Sequence, residues 1–279
     1  MQVAKLRSVN LENGEILEQS GLRRHNLGII FRAIRDAGSI SRAQLAKITG
    51  MTKPGVTNIV DELLERGLLS QGAEESRQNR GRPGVQLRIN ALATSIIVIE
   101  LRAFHTAVVA FDLLGQELYR ERATTSFNLT PEERVAEVHP MLERTIQSAS
   151  RQAARIAKVI VAVPGIIDAD MKITSSSLNW EKLELLHYIK SVVPSNVPIE
   201  LNTVAKLAAL AEYRYIVRSN KTSKQMLHLE LGITPGIGIV QNGELQLGAN
   251  LSMGNIAHIS INQHGKLCRC GKIGCIETE

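Results

Sequence analysis

Only nine of the 279 residues are aromatic and only three are cysteine, and each scarcity excludes something. A sheet that reads RNA stacks bases on Phe and Tyr, and this chain has too few rings for that role. The three cysteines all fall between Cys268 and Cys275, so they cannot form a disulfide framework. Clustered thiols fit a metal site in a reducing cytoplasm instead. No apolar run approaches the ~18 residues of a membrane helix, and residues 1–10 lack the apolar core of a signal peptide. A strong charge imbalance is missing too, with 33 basic against 27 acidic side chains. Their placement is uneven, however. Residues 1–90 hold 14 basic and nine acidic side chains, whereas residues 91–279 hold 19 and 18. The excess therefore sits almost wholly in the first third, which suggests a basic module joined to a near-neutral one. At about 150 residues per domain, the length also suggests two domains.

Within the basic third, Leu27, Ile30, Phe31 and Ile34 fall on one stripe of a helix that stops at Gly38. Ser41 and Gln44 have capping-box spacing, with Leu45 and Ile48 as the inward face of a second, short helix. After Gly50-Met51, Thr52 reads as an N-cap and Pro54 falls in the first turn, where its missing N–H costs nothing. Val56, Ile59, Val60, Leu63 and Leu64 form a third stripe, ended by Gly67. This is the helix-turn-helix pattern. The third helix exposes Lys53, Thr57 and Asn58 early and keeps Asp61, Glu62 and Glu65 late. A helix entering the major groove by its N-terminal end needs that polarity. Asn58 suits the edge of adenine, and Thr57 a base or a phosphate. The competing reading is an ordinary three-helix unit with a solvated polar face.

Residues 76–88 carry Arg77, Arg80, Arg82 and Arg88 with no acid, centred on Asn79-Arg80-Gly81-Arg82-Pro83. Arginines beside glycine can enter a narrow minor groove, and the flanking 68–69 and 85–87 fit the two strands of a wing. A solvated linker is the bland alternative. Ser41, Thr52, Lys53, Thr57, Asn58, Arg80 and Arg82 are thus the candidate contacts to double-stranded DNA.

In the neutral two-thirds, the runs 95–101, 106–111 and 117–120 suggest an antiparallel meander. Thr130-Pro131-Glu132-Glu133 is a capping box for a helix whose inward face is Val135, Val138, Leu142 and Ile146, kinked at Pro140. A buried strand at 159–163, a short helix around 183–189, a strand at 199–201 and a helix from Thr203 follow. Strands first and then alternating β and α predict an α/β domain with a mixed sheet. A second strand set at 226–231, 236–240 and 244–247 has the hairpin pair Asn242-Gly243, and no helix is evident to cover it.

The strongest chemical signal is Cys268-Arg269-Cys270-Gly271-Lys272-Ile273-Gly274-Cys275, with His258 ten residues upstream and His264 four. Three thiolates and one imidazole make a closed tetrahedral Zn²⁺ site of the structural kind. Unrelated free thiols are the alternative, and three cysteines are too few for an iron–sulfur cluster. By spacing alone either histidine could be the fourth ligand. Glu277 is the carboxylate best placed for a pocket. Gly232-Ile233-Thr234-Pro235-Gly236-Ile237-Gly238 is rich in glycine but lacks the lysine of a P-loop.

Taken together, the helix-turn-helix with its Arg-Gly-Arg segment, Val163-Pro164-Gly165-Ile166-Ile167-Asp168, residues 243–254 and the Cys-x-Cys-Gly-x-x-Gly-Cys-x-Glu signature at 268–277 resemble the ROK family (repressors, open reading frames and sugar kinases). The likeness lies on its NagC/Mlc/XylR-like transcription-regulator side and runs from about His25 to Glu279. It implies a winged helix-turn-helix (1–90), a first actin-like or RNase H-like subdomain (91–215) and a second, zinc-carrying subdomain (216–279). It implies His258, Cys268, Cys270 and Cys275 as zinc ligands. The family's kinases hold ATP on an Asp-x-Gly-Gly-Thr loop, where this chain has Glu100-Leu101-Arg102-Ala103-Phe104. Their base is the Asp of an Asn-Asp pair, here Asn202-Thr203, and threonine cannot take a proton at neutral pH.

Asn202, His258 and Glu277 match the family's sugar contacts, and Asn255 replaces a pocket glutamate. The resemblance thus implies a cytoplasmic, dimeric, non-enzymatic repressor of carbohydrate genes that answers to a sugar or sugar phosphate. The alternatives are a ROK sugar kinase and a DNA binder that no longer senses. The family's regulators continue for more than a hundred residues beyond the signature, so the second subdomain is expected to be truncated, marginal and apolar at its surface.

Overall fold

The computed structural model describes residues 19–72, 84–127, 129–218, 223–249 and 251–279. They fall into two compact units, one up to Ala93 and one from Thr94 onward.

The first unit is a winged helix-turn-helix. Helix α1 (Gln19–Ala37) leads through the two-residue strand β1 (Ile40–Ser41) into α2 (Arg42–Thr49) and α3 (Lys53–Glu65). Strands β2 (Leu69–Gly72) and β3 (Gln86–Ile89) complete an antiparallel sheet of order β1-β3-β2. Ile30 and Ile34 from α1, Leu45 from α2, and Val56, Val60 and Leu63 from α3 close on Leu69 and Leu87. Both predicted caps are present. Ser41 and Gln44 form a reciprocal box, and the Thr52 hydroxyl accepts from the Gly55 amide. The expected inward role of Ile48 is not observed, since it is 60 % exposed. Helix α2 has only eight residues, and Leu45 is the one that it buries.

The second unit begins with a meander of β4 (Ser95–Leu101), β5 (His105–Phe111) and β6 (Glu117–Thr124). Helix α4 (Pro131–Gln152) crosses back and delivers β7 (Ile156–Val163) parallel to β4. A small antiparallel sheet of β8 (Ile166–Ile167), β9 (Ile173–Ser175) and β10 (Trp180–Leu183) and the short α5 (Leu185–Ile189) come next. Strand β11 (Ile199–Thr203) then joins β7 in parallel, giving the mixed order β11-β7-β4-β5-β6. Strand β4 alternates, so Ile97, Ile99 and Leu101 enter one core with Val138, Met141 and Leu142 of α4. Helix α4 runs unbroken through Pro140, which lies on its exposed face.

Helix α6 (Val204–Arg218) precedes the antiparallel sheet of β12 (Gln225–Glu230), β13 (Gly236–Gln241) and β14 (Glu244–Leu245). The expectation that no helix covers this sheet is overturned, because α6 packs on β12 and β13. The approach is close. A Cβ on Gly238 would stand 2.3 Å from the Ala209 Cβ and 2.4 Å from the Ala205 carbonyl oxygen. On the other face Leu227 and Leu229 are 60 % and 47 % exposed, so apolar surface is indeed left open.

Candidate nucleic-acid interface, metal centre and ligand cleft

In the first unit, capping and burial of its apolar stripe fix how α3 presents its polar side. Thr52, Lys53 and Asn58 are exposed at its N-terminal end, and Thr57 is half-buried. Two of the three later acids are paired, and Glu65 is exposed. Asp61 pairs with Arg42 at 2.8 Å, and Glu62 pairs with Arg23 at 2.6 Å and with Arg66. The hydrogen bond from Arg23 holds the Glu62 carboxyl below its usual range. A helix with donors at its start and two of its three carboxylates paired behind them can approach phosphates with reduced like-charge repulsion. Ser41 departs from the expectation. It is buried, and its hydroxyl is engaged with Gln44 in the cap of α2, which leaves it no surface for DNA. Arg80 and Arg82 lie outside the described residues.

In the second unit, His258 and the three cysteines converge, their ligand atoms all within 4.8 Å of one another. His258 Nδ1 lies 3.5 Å from Cys268 Sγ, and the sulfurs of Cys270 and Cys275 are 3.6 Å apart. Bond lengths of ~2.3 Å to sulfur and ~2.0–2.1 Å to nitrogen in a tetrahedron place sulfurs about 3.8 Å apart and sulfur from nitrogen about 3.5 Å. The donor set therefore fits one tetrahedral ion. His264 is exposed and stands outside the cluster. Gly274 makes the loop possible, with φ of +65° and the Asn262 carbonyl oxygen 1.7 Å from where its Cβ would be. Burial and the neighbouring thiols push Cys275 up to about 12 in the absence of an ion, whereas a hydrogen bond from the Lys272 amide pulls Cys270 down. Glu277 Oε2 is buried without a hydrogen-bond partner, 3.6 Å from His258 Nδ1. A cation among the sulfurs would offset that charge.

Beside the cluster opens a cleft of about 650 Å³, counting the part open to solvent. Asn255, His258, Thr174, Ser176, Thr203, Arg102, Glu230 and Thr234 supply its polar lining. Asn202 and Glu277 stand beside this wall. Asn202 accepts from the Thr203 amide at 2.9 Å, and Glu277 rests against His258. The Asn255 amide nitrogen is buried without a partner, as a side chain awaiting a ligand acceptor would be. Arg102 is ion-paired with Glu100 at 2.8 Å and with Glu230, so the place of a phosphate-admitting glycine is filled.

Sequence reasoning missed two buried cations here. Arg134, 1 % exposed, donates to the carbonyls of Arg102, Ala103 and Ser126. Its position four residues before Val138 put it on the inward face, which was the available signal. Lys206, also buried, donates to the Leu251 carbonyl at 2.5 Å and anchors the loop that leads to Asn255. Burial pushes its pKa down.

A family model described as ROK family matches residues 96–279, and one described as MarR family matches residues 28–80. The chain belongs to the ROK family. Among curated ROK relatives, the xylose repressor of Caldicellulosiruptor bescii is 27 % identical over 260 residues, covering 92 % of this chain and 64 % of the relative. The N-acetylglucosamine repressor of Escherichia coli O6:H1 is 28 % identical over 274 residues, covering 91 % and 61 %. The chain thus spans less than two thirds of their length. A crystal structure of a ROK family transcriptional regulator, a homologue of the E. coli MLC protein, superposes with a TM-score of 0.73 at 24 % identity, over 92 % of this chain and 64 % of that one. No helix among the described residues is long and apolar enough to cross a membrane.

Proposed function

We propose that this ROK chain is a transcriptional repressor of carbohydrate genes, with a DNA reader in residues 1–90 and a sugar-sensing cleft in residues 91–215 and 216–279. The observation that carries the reading is α3, capped by Thr52, presenting Lys53, Thr57 and Asn58 and holding Asp61 and Glu62 in ion pairs. Repressors aligned over more than nine tenths of the chain support it. As a cytoplasmic dimer it would set two such helices on half-sites about one DNA turn apart, ~34 Å. Zinc, held by His258, Cys268, Cys270 and Cys275, supplies a structural cross-link and no reaction step. Kinase activity is opposed by Arg102, locked between two carboxylates, and by Thr203 in the place of a base.

Gel shift against genomic fragments tests the reader. Affinity should fall steeply as salt rises, because phosphate contacts release counterions. Asn58→Ala should cost the selected fragment about 10- to 100-fold while sparing non-specific binding. Affinity indifferent to salt would overturn the reading.

A further inference from the structure

Phe104 is 56 % exposed in a chain with nine aromatic residues, yet it is firmly held. Arg134 pins the two carbonyls before it, those of Arg102 at 3.1 Å and Ala103 at 3.3 Å, and its own carbonyl accepts from the Thr125 amide at 3.0 Å. Phe127 backs its ring at 5.8 Å between centroids, and the Arg269 guanidinium lies 6.0 Å from the Phe127 ring. The ring is therefore fixed without being covered. It lines a second cavity, of about 560 Å³, with His105, Ser177 and Gly232. Arg102, Pro164 and Thr234 line this cavity and the first cleft alike, so the two are neighbours that share a wall.

The lining tells what fits. An aromatic face suits a flat, apolar ring face, and the Thr234 hydroxyl with the His105 imidazole suits a hydroxylated edge, while the Ser177 hydroxyl is buried against that of Ser175. Arg102 offers no free charge to a phosphate, since Glu100 and Glu230 bracket it. That combination favours an uncharged sugar ring over a nucleotide. Resting on the sensing role proposed above, we infer that the cleft takes a glycoside of at least two units, its first ring beside Asn255 and His258 and its second on the face of Phe104.

Calorimetry on the 279-residue chain tests this with xylose against xylobiose, N-acetylglucosamine against its β-1,4 dimer, and glucose against cellobiose. At least one disaccharide should bind about tenfold or more tighter than its own monosaccharide. Phe104→Ala should erase that gain and leave the monosaccharide affinity unchanged, and Phe104→Trp should restore it. Because Phe104 is exposed, all variants should melt alike. A monosaccharide that binds with no gain from the second ring would overturn this inference alone, as would a gain that survives Phe104→Ala. ATP binding competitively with the disaccharide would overturn it in favour of a nucleotide. Failure of all six sugars to bind would overturn the sensing role as well.

Discussion

Residue by residue, the second unit is organised by charges that the surrounding atoms force into single roles. Three thiols and an imidazole within 4.8 Å have little reason to stay together without a cation, and an unpartnered carboxylate oxygen of Glu277 sits beside them. Because ligand binding is then part of folding, the purified chain should hold about one zinc per chain. Cys275→Ser, which removes a fully buried ligand, should lose the metal and lower the melting temperature, and chelation should do the same to the parent chain. Metal analysis with thermal unfolding checks this, and a metal-free chain indifferent to chelator would contradict it. The ligands were legible because cysteine is rare and its spacing is local. The histidine was not decided by spacing, since His258 and His264 both qualified; the family resemblance pointed to His258, and the fold brings that one in. Ser41 shows the reverse failure, a polar residue in a helix-turn-helix whose hydroxyl is consumed by the helix cap.

Among the elements, what local chemistry specifies was readable and what tertiary approach specifies was not. The boxes at Ser41 and Thr130 and the cap at Thr52 start α2, α4 and α3 where the residues announce them. The apolar runs became β4, β5 and β7 because runs of branched aliphatic residues suit strands of a covered sheet, with β5 buried along both faces and β4 along one. The cover over β12 and β13 was invisible, because it depends on glycine in one strand meeting alanine in a helix twenty-nine or more residues earlier. That crossing yields a direct test. Gly238→Ala puts a methyl where the Ala205 carbonyl and the Ala209 side chain already lie, and overpacking of this kind costs about 1–3 kcal/mol. Thermal unfolding should show the loss, and an unchanged melting temperature would mean that α6 does not press on β13 as described.

Over the whole molecule, the proposed function assigns the basic first third to attraction to a polyanion and the near-neutral remainder to recognition of a small ligand. The scarcity of aromatics sharpens the second, because one of the nine is spent on an exposed, braced platform at a cleft. Neither unit gains from the other unless occupancy of the cleft alters affinity for DNA, and reciprocal linkage makes that coupling measurable from either side. The most direct test is fluorescence anisotropy on the selected DNA fragment at fixed salt, with and without the sugar that binds best by calorimetry. Couplings between sites typically amount to about 5- to 150-fold, so the sugar should weaken DNA binding by at least about fivefold. A DNA affinity unchanged at a saturating concentration of that sugar would contradict the account.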